Sequence, residues 1–513
     1  MKKVSFMTLA LGFASMCLTG CSSDVISEAH TPPVNPVAGT TTVNVKIVSN
    51  DFTRSEIYED RIGNLYLAFY NSSSSAPLYL EKAETVDNST YSVTLHLDPM
   101  NIPDKMIAFA NVEDEDILQK DPSLSTSGTI YDSEGRLIMS NAVYFEINGN
   151  VSKISSHNTI SDDHILNGKP IEIALDRVAA KAAVLTDDNS YFQPVSTDNG
   201  SSLDLQPVGW GITATDRSSF LMKQIPGTYS DVVSFLGDWE WNSSENKTSH
   251  WAQSVNYDPA NSSEDVLFST LLTTTGEFGK TQYCHESTRA HTDADPTVYC
   301  PAILIIGQYR NGESDMPTFY RFRNGDKDKI YLEDEYMESF ASSQDIIFTK
   351  DDATSEIVKP SVEVLRNVIE LSTPTRDVSS DFIPSHFVSP QVRADIEDLD
   401  FCDIQGNPYE IQDLNTLLFS KYGILEKYHD GKCVFIVPVI HKSIAGKTFY
   451  GLVRNHSYTL TIKNISGFGR GIASESEDLK YEEIPDFPST YTVNATLTIN
   501  DWSEITQDIE IKN

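Results

Sequence analysis

The chain has 513 residues, of which 39% are hydrophobic and 10% aromatic, which is enough for more than one domain with a full core. Its formal net charge is −36 at pH 7. A surface this acidic repels phosphate backbones and anionic lipid headgroups, so the composition argues against a nucleic-acid partner. The acidic residues are spread along the chain, which is typical of a well-solvated exterior.

The first twenty residues have the order of an export signal. Lys2 and Lys3 precede an apolar stretch from Val4 to Leu18, which ends at Thr19-Gly20-Cys21. The stretch is shorter than the ~20 residues that a spanning helix needs. Small residues in front of a cysteine are typical of a lipoprotein signal, which is cut before a lipid-modified cysteine. We therefore predict a signal peptide at residues 1–20, lipidation of Cys21, and membrane attachment of the precursor through this lipid only.

The folded part of the chain is predicted to begin at residue 41. Residues 22–40 are rich in Ser, Pro and Thr without periodicity, which indicates a tether. Residues 41–48 alternate as a half-buried strand does, with Val43, Val45 and Ile47 on one face. Similar short runs, rich in Val, Ile, Tyr and Phe, predict further strands at 62–70, 91–97, 106–111, 171–175, 303–309, 434–439, 458–462 and 491–499. Polar clusters between these runs favour antiparallel sandwiches.

Helical periodicity at 360–371 and 411–422 predicts two helices, both in the second half of the chain. Near residues 222–230 the strand pattern gives way to turn residues and irregular aromatics. This change predicts a boundary between two β-rich domains.

Beyond Cys21, four cysteines remain: Cys284, Cys300, Cys402 and Cys433. In an oxidising envelope they could form two disulfides in three connectivities. Neighbours in sequence, Cys284 with Cys300 and Cys402 with Cys433, are the favoured pairs. Neither a C-x-x-C pair nor a paired-His spacing is present, so no metal or other cofactor is expected.

Motifs for catalysis are incomplete. Residues 445–448 end like a phosphate-binding loop, but His441 stands where that motif needs a glycine. His285-Glu286 lacks the second histidine of a zinc-protease helix, and residues 326–328 lack the glycine and distant glutamate of a calcium loop. A nucleophile elbow of the G-x-S-x-G type is absent. We therefore expect a protein that is not an enzyme.

The C-terminal third resembles a known family. The residues that carry the similarity are CVFIVPVIH (433–441), YGLVRNHSY (450–458), ISGFG (465–469) and YTVNATLTINDW (491–502). They resemble the C-terminal domain of the minor-fimbrium fimbrillins of Bacteroidales, and Arg454-Asn455-His456 is the most specific piece. Weaker similarities at 108–112, 177–181 and 209–211 fall in the family's order, so the resemblance extends over nearly the whole chain.

The resemblance implies assembly after proteolysis. A lipoprotein precursor reaches the outer surface, and an arginine-specific protease removes the N-terminal strand. A C-terminal strand of another subunit then fills the groove and satisfies its unpaired backbone groups. Because each subunit gives and receives a strand, the contact propagates as a fibre. In this chain the resemblance implies a cut between Arg54 and Ser55, with Arg61 as the alternative, which directly precedes the next predicted strand.

The same resemblance assigns the donor strand to residues 491–511. The apolar residues of this donor are Val493, Leu497, Ile499, Ile509 and Ile511. Asn455, His456 and Trp502 are assigned structural roles.

Together, the strand pattern and the resemblance predict a mainly β protein with two tandem antiparallel β-sandwiches of the transthyretin-like or Greek-key kind, with a few short helices in the second. The predicted segments are a signal peptide (1–20), a tether with the removable strand (21–54), and domains at 55–225 and 226–513.

The implied function is that of a fimbrial shaft subunit that supports cell adhesion and biofilm formation. Its implied partners are copies of itself, accessory and anchor subunits, the protease, and a host or bacterial surface receptor. The implied location is the outer membrane for the precursor and an extracellular fimbrium afterwards. Two alternatives stay open: an accessory, anchor or tip fimbrillin, and a glycan-binding surface lipoprotein suggested by Trp239, Trp241 and Trp251.

Overall fold

The structure is a computed structural model of the chain. It describes residues 39–47, 59–71, 73–121, 124–141, 144–148, 151–155, 158–224, 252–257, 266–274, 276–289, 299–313, 315–324, 327–351, 354–374, 383–444, 447–480 and 490–501. These residues are mainly in β-strands, which confirms the predicted fold class of β-sandwiches with a few short helices.

The first sandwich is built from the N-terminal elements of the chain. In order they are β1 (Gly39–Ile47), β2 (Leu65–Tyr70), β3 (Tyr79–Lys82), β4 (Glu84–Thr85), β5 (Thr90–Leu97), β6 (Lys105–Ala110), α1 (Glu115–Leu118), β7 (Thr126–Ser127), β8 (Met139–Asn141), β9 (Tyr144–Asn148), β10 (Val151–Ser155), β11 (Asn158–Thr159), α2 (Asp162–Leu166), β12 (Ile171–Ile173) and β13 (Leu175–Arg177). One sheet has the order β12-β1-β5-β4 and the other β13-β8-β6-β2-β3, with β11 beside β6. Alternating apolar residues of both sheets, such as Val93, Leu67 and Phe69, form the core between them.

The remaining elements begin at residue 179. In order they are β14 (Ala179–Phe192), β15 (Val195–Ser196), β16 (Ser202–Thr213), β17 (Thr215–Asp216), β18 (Ser219–Phe220), β19 (Val266–Leu267), β20 (Thr281–His285), β21 (Ser287–Thr288), β22 (Ala302–Arg310), β23 (Phe319–Asn324), β24 (Lys327–Leu332), α3 (Glu333–Ser343), β25 (Phe348–Lys350), β26 (Ile357–Val358), α4 (Val362–Val368), β27 (Ile369–Ser372), β28 (Phe387–Val392), β29 (Phe401–Cys402), α5 (Ile411–Tyr422), β30 (Leu425–Tyr428), β31 (Lys432–Pro438), β32 (Ile440–Ile444), β33 (Lys447–Leu452), β34 (His456–Phe468), β35 (Arg470–Gly471) and β36 (Thr490–Asp501).

The second sandwich packs a sheet of order β20-β14-β34-β36 against one of order β15-β16-β22-β31-β35. Trp210, Phe435 and Tyr458 are fully buried in the core between these sheets. The indole nitrogen of Trp210 donates to the backbone oxygen of Glu277 at 3.0 Å, which satisfies the one polar atom of this large side chain.

The two cores divide the chain differently from the boundary predicted near residue 225. β14 pairs in parallel with β34, with Lys181 opposite Ser457, and β16 pairs antiparallel with β22. Residues 179–213 therefore belong to the second sandwich, and the change of core falls between β13 and β14. The partners of β14 and β16 lie far along the sequence, and local patterns do not reveal such pairing.

An α/β unit lies between β22 and β31, which are adjacent strands of one sheet. Its sheet has the order β24-β23-β30-β28-β27, and residues of its three helices, including Phe340, Leu365 and Leu414, form a separate core.

The helix predicted at 411–422 is confirmed as α5. The helix predicted at 360–371 ends at Val368, where β27 begins, and α3 was not predicted. Within the described part of the chain, no helix has the length and apolar character required to cross a membrane.

Cys284, Cys402 and Cys433 are free, buried thiols and Cys300 is buried, which corrects the expected disulfides Cys284–Cys300 and Cys402–Cys433. Cys402 lies on β29 of the inserted unit, whereas Cys433 lies on β31 in the core of the second sandwich. Cys284 is on β20 of one sheet, and Cys300 precedes β22 of the other. Burial raises the pKa of the Cys284 and Cys433 thiols, which favours the protonated form. The described residues contain no group of three or more side chains suited to hold a metal ion.

Buried charges connect the segment before β2 to the second sandwich. The Glu59 carboxylate accepts hydrogen bonds from the Tyr283 hydroxyl and from the Lys181 ammonium, the latter at 3.0 Å to each oxygen. The next residue, Asp60, pairs with the guanidinium of Arg177, and this arginine also donates to the backbone oxygen of Glu59 at 3.2 Å. Arg177 is fully buried. We call Glu59 and Asp60 the acidic anchor, because they attach the chain to residues of β13, β14 and β20.

Asn455 extends this buried network to the turn before β34. Its side-chain oxygen accepts from Arg177 at 2.9 Å, and its amide nitrogen donates to Asp176 at 3.1 Å. The backbone of Asn455 has a φ of 58°, a left-handed conformation that asparagine tolerates better than most residues. The preceding residue, Arg454, forms a buried ion pair with Glu286 at 2.9 Å. The run that carries most of the family resemblance therefore contributes to the junction between the sandwiches.

Replacing Glu59 with glutamine is expected to lower the free energy of unfolding by about 3 kcal/mol, because Lys181 loses a buried carboxylate partner. The matched control is Glu172→Gln, since Glu172 pairs with Lys46 at 3.7 Å and both side chains are largely exposed. We expect that control to cost less than about 1 kcal/mol. Denaturant-induced unfolding of both variants measures the difference, and equal losses would contradict a special role for the buried pair.

Candidate functional site: the groove that holds the first strand

The first strand occupies an interior position of its sheet. β1 pairs antiparallel with β5 from Gly39 opposite Leu97 to Lys46 opposite Thr90. On its other edge it pairs in parallel with β12, where Val45 lies opposite Ile171. Both edges of β1 are therefore hydrogen-bonded to neighbours. Because adjacent strands lie roughly 4.8 Å apart, a sheet without β1 would have a gap of about 10 Å between β5 and β12.

The side chains of β1 alternate between the core and the outer face, as the sequence predicts. Val43 and Val45 are fully buried in the core of the first sandwich. On the outer face, the amide of Asn44 donates to the backbone oxygen of Gly168 at 3.3 Å, and Lys46 pairs with Glu172. We call the space that β1 occupies between β5 and β12 the β1 groove.

The loop around α2 closes one end of this groove. The Thr41 hydroxyl donates to the backbone oxygen of Ile165 in α2 at 2.6 Å. The Thr40 hydroxyl lies 3.1 Å from the ring nitrogen Nδ1 of His96 on β5. Backbone and side-chain groups on both walls therefore recognise a strand, and two apolar positions select which face of that strand points inward.

Of the predicted cleavage residues, the structure describes Arg61 but not Arg54 or Ser55. Arg54 and Ser55 lie outside the described residues, as does Cys21. Arg61 is described, is exposed, and precedes β2. Its backbone oxygen accepts a hydrogen bond from the Asn111 amide at 2.8 Å. This hydrogen bond holds the carbonyl group that a protease would attack after Arg61.

Three of the predicted donor residues, Val493, Leu497 and Ile499, lie in β36. β36 pairs antiparallel with β34 along its whole length, from His456 opposite Asp501 to Phe468 opposite Thr490. Val493 and Leu497 are buried in the core of the second sandwich, within their own subunit. Ile499 lies in the same strand, opposite Tyr458.

Other predicted residues fall outside the described residues. These are the remaining donor residues Ile509 and Ile511, together with Trp502, Trp239, Trp241 and Trp251. The structure places β36 and the β1 groove in different sandwiches.

Sequence reasoning missed the acidic anchor. Glu59 and Asp60 stand in a polar stretch with no periodicity, and nothing in it distinguishes buried acids from solvated ones. A signal was present at the other end of the contact, where Arg177 follows a predicted strand and precedes Val178, Ala179 and Ala180, since an arginine that is buried requires anionic partners.

The comparison with protein families gives one match. Residues 426–508 match the family model described as "Major fimbrial subunit protein type IV, Fimbrillin, C-terminal". The matched segment begins within β30 and contains β31 to β36. A search of curated protein sequences finds no significant match.

Solved structures with similarity to the chain include a candidate cell adhesion protein from Bacteroides eggerthii, 11% identical, with 90% of this chain and 97% of that chain covered and a TM-score of 0.35. The tip fimbrial protein Mfa3 from Porphyromonas gingivalis, with a C-terminal truncation, is 12% identical, with coverage of 90% and 98% and a TM-score of 0.27. A fimbrial assembly protein from Parabacteroides distasonis is also 12% identical, with coverage of 57% and 86% and a TM-score of 0.26.

Scores of this size do not establish a shared architecture, so the family assignment depends on the sequence match at the C-terminus. That match covers the residues in which the sequence shows its strongest resemblance. Residues 426–508 are therefore similar to the C-terminal part of the fimbrillins, the family that the sequence resemblance predicts.

Proposed function

We propose that this protein is the shaft subunit of a surface fimbrium that supports cell adhesion and biofilm formation. The precursor is exported as a lipoprotein through Cys21 and cleaved after Arg54, and the mature subunits polymerise by strand exchange. The observation that carries the proposal is the interior position of β1, which fills a groove between β5 and β12 and precedes the segment that contains Arg54. The fimbrillin match at residues 426–508 supports the coarser role of a pilus subunit.

The bonds made by β1 explain why the precursor stays a monomer until it is cut. Burial of Val43 and Val45 stabilises the strand by roughly 1.5–3 kcal/mol for each side chain. While β1 belongs to the same chain, its effective concentration at the groove is in the millimolar range or above, and a donor from another molecule competes poorly. Cleavage turns β1 into a separate peptide, which diffuses away and no longer has this advantage.

Two contacts favour Arg54 over Arg61 as the cleavage site. A cut after Arg54 keeps the acidic anchor in the mature chain, whereas a cut after Arg61 removes Glu59 and Asp60. The buried Arg177 and the partly buried Lys181 would then lose these carboxylates, and the loss of one partner of a fully buried pair typically costs 3–5 kcal/mol. The hydrogen bond from Asn111 to the Arg61 carbonyl must also break before this segment can leave the body of the protein and enter a protease site.

The proposed partners follow from this sequence of events. An arginine-specific protease matures the precursor at the outer membrane, copies of the subunit form the fibre, and accessory and anchor subunits complete it. A surface receptor is the partner in adhesion. After the cut the subunit leaves its lipid with residues 21–54, so in the extracellular fibre it is held by neighbouring subunits.

Replacing Arg54 with alanine is expected to stop maturation and polymer formation, while the precursor stays folded and lipidated. Arg61→Ala is the matched control, and we expect it to mature and to form fibres as the parent chain does. N-terminal sequencing of surface protein, together with electron microscopy of fibres, measures both outcomes. Maturation that requires Arg61 and not Arg54, or fibres from the double variant, would contradict the proposed cleavage.

Truncation after Asp501 is expected to leave a folded monomer that matures but does not elongate fibres. This position keeps β36, whose removal would expose the core of the second sandwich. Thermal unfolding should show an unchanged midpoint, and size-exclusion chromatography after protease treatment should show monomers only. Normal fibre growth by the truncated chain would show that residues 502–513 are not the donor.

A further inference from the structure

Lys223 is a buried amine for which the proposed function has no use. It follows β18, and its side chain is fully shielded from solvent. The Lys223 ammonium lies 3.4 Å from the Oδ2 oxygen of Asp176 on β13, whose side chain is buried as deeply. A lysine is almost never fully buried unless it is paired, because an ammonium ion is costly to remove from water. The Asp176 carboxylate therefore holds the amine in a fixed place away from solvent.

The same carboxylate holds the side chain of Asn455. The Oδ1 oxygen of Asp176 accepts a hydrogen bond from the Asn455 amide nitrogen at 3.1 Å. Because the two oxygens of one carboxylate are neighbours, the amine of Lys223 and the amide of Asn455 lie side by side in one buried space.

The side-chain oxygen of Asn455 faces two hydrogen-bond donors. The Arg177 guanidinium donates to this oxygen at 2.9 Å, and the backbone N–H of the same arginine donates to it at 3.4 Å. The acidic anchor fixes the guanidinium through the carboxylate of Asp60 and the backbone oxygen of Glu59. Fixed donors on a carbonyl oxygen stabilise the negative charge that develops when a nucleophile attacks the carbon.

We propose that Lys223 and Asn455 form a covalent amide bond within the subunit, with Asp176 as the group that moves the protons. The three side chains and Arg177 supply the parts that the reaction requires: an amine nucleophile, an amide acceptor, a carboxylate that contacts both, and donors for the oxyanion. The bond is independent of strand exchange, so the inference goes beyond the proposed function.

The reaction begins with a proton transfer from the Lys223 ammonium to the Asp176 carboxylate, which removes two charges from a buried site. The lone pair of the neutral amine then attacks Cγ of Asn455. The π electrons of the C=O bond move to Oδ1, where Arg177 stabilises the negative charge.

Departure of ammonia completes the bond. Asp176 donates its proton to Nδ2 of Asn455, the oxyanion collapses, and the Cγ–Nδ2 bond breaks. The nitrogen of Lys223 gives its extra proton to Asp176, and ammonia takes that proton away as ammonium. One ammonium and one primary amide are consumed, one secondary amide and one ammonium are formed, and Asp176 ends as the carboxylate with which it began.

The bond would join the segment after β18 to the turn before β34, two parts of the chain that are far apart in sequence. Residues 224–454, which include the inserted unit, would become a closed loop, and closing a long loop restricts the unfolded chain. In a fibre, tension between the first sandwich and β36 would then pass through the bond instead of through this loop. This mechanical consequence rests on the proposed function, whereas the bond itself does not.

Peptide mapping of the full-length chain tests the bond. The protein is denatured and digested with trypsin, which cuts after Arg217 and Arg454 but not after a Lys223 whose amine is modified. We expect a branched peptide that contains residues 218–247 and 455–463. Its mass should be about 17 Da below the combined mass of the two peptides, because ammonia has been lost.

A pair of variants shows whether the link depends on the buried amine. Lys223→Arg keeps a positive charge beside Asp176 and removes the nucleophile, so the branched peptide should be absent. Lys181→Arg is the matched control, because Lys181 pairs with the carboxylate of Glu59, and it should retain the branch between residues 223 and 455.

The parent chain decides the inference even where a variant does not fold. Complete cleavage after Lys223, with residues 455–463 recovered at their unmodified mass, would overturn it. A mass about 18 Da low, with Lys223 linked to Asp176, would show loss of water and would overturn Asn455 as the acceptor. Loss of the branch in both lysine variants would contradict the specific role of Lys223.

Discussion

The structure depends on one strand that is covered on both edges. β1 supplies backbone hydrogen bonds to β5 and β12 and closes the core of the first sandwich with Val43 and Val45. An edge strand could leave and expose one row of backbone groups, whereas an interior strand leaves two facing rows and an open core. A sheet that lacked β1 would therefore require another strand in its place, since water cannot supply the apolar contacts and a single side chain cannot supply the backbone hydrogen bonds.

The acidic anchor attaches the segment that follows β1 to the rest of the protein. It fixes the segment before β2 to β13 and β14 through the ion pairs of Asp60 and Glu59. Buried hydrogen bonds also join the two sandwiches, because Asn455 in the turn before β34 contacts Arg177 and Asp176 of β13. Contacts to buried charged groups disfavour sliding or bending at the junction, because each displaced partner leaves a buried charge.

The sequence was sufficient for features that depend on local pattern. The alternation in β1 and β5 and the 3.6-residue periodicity of α5 predicted these elements closely, because each buries one face against a single core. It was insufficient for α3, although an acidic first turn followed by Tyr336, Met337 and Phe340 is a helical signal. The disulfide expectation failed because closeness in sequence does not imply closeness in space when each cysteine lies in a different element. For the groove, the sequence identified the strand and not its neighbours, since the pairing of β1 with β12 spans more than a hundred residues.

The unit inserted between β22 and β31 starts and ends on adjacent strands of one sheet. Its two ends are therefore held a strand spacing apart by the host sheet, and its core is separate from that of the sandwich. Substitutions inside it leave the register of the host strands unchanged. The inserted unit is therefore a place where the sequence and the length of the chain can change at little cost to the fold of the host sandwich.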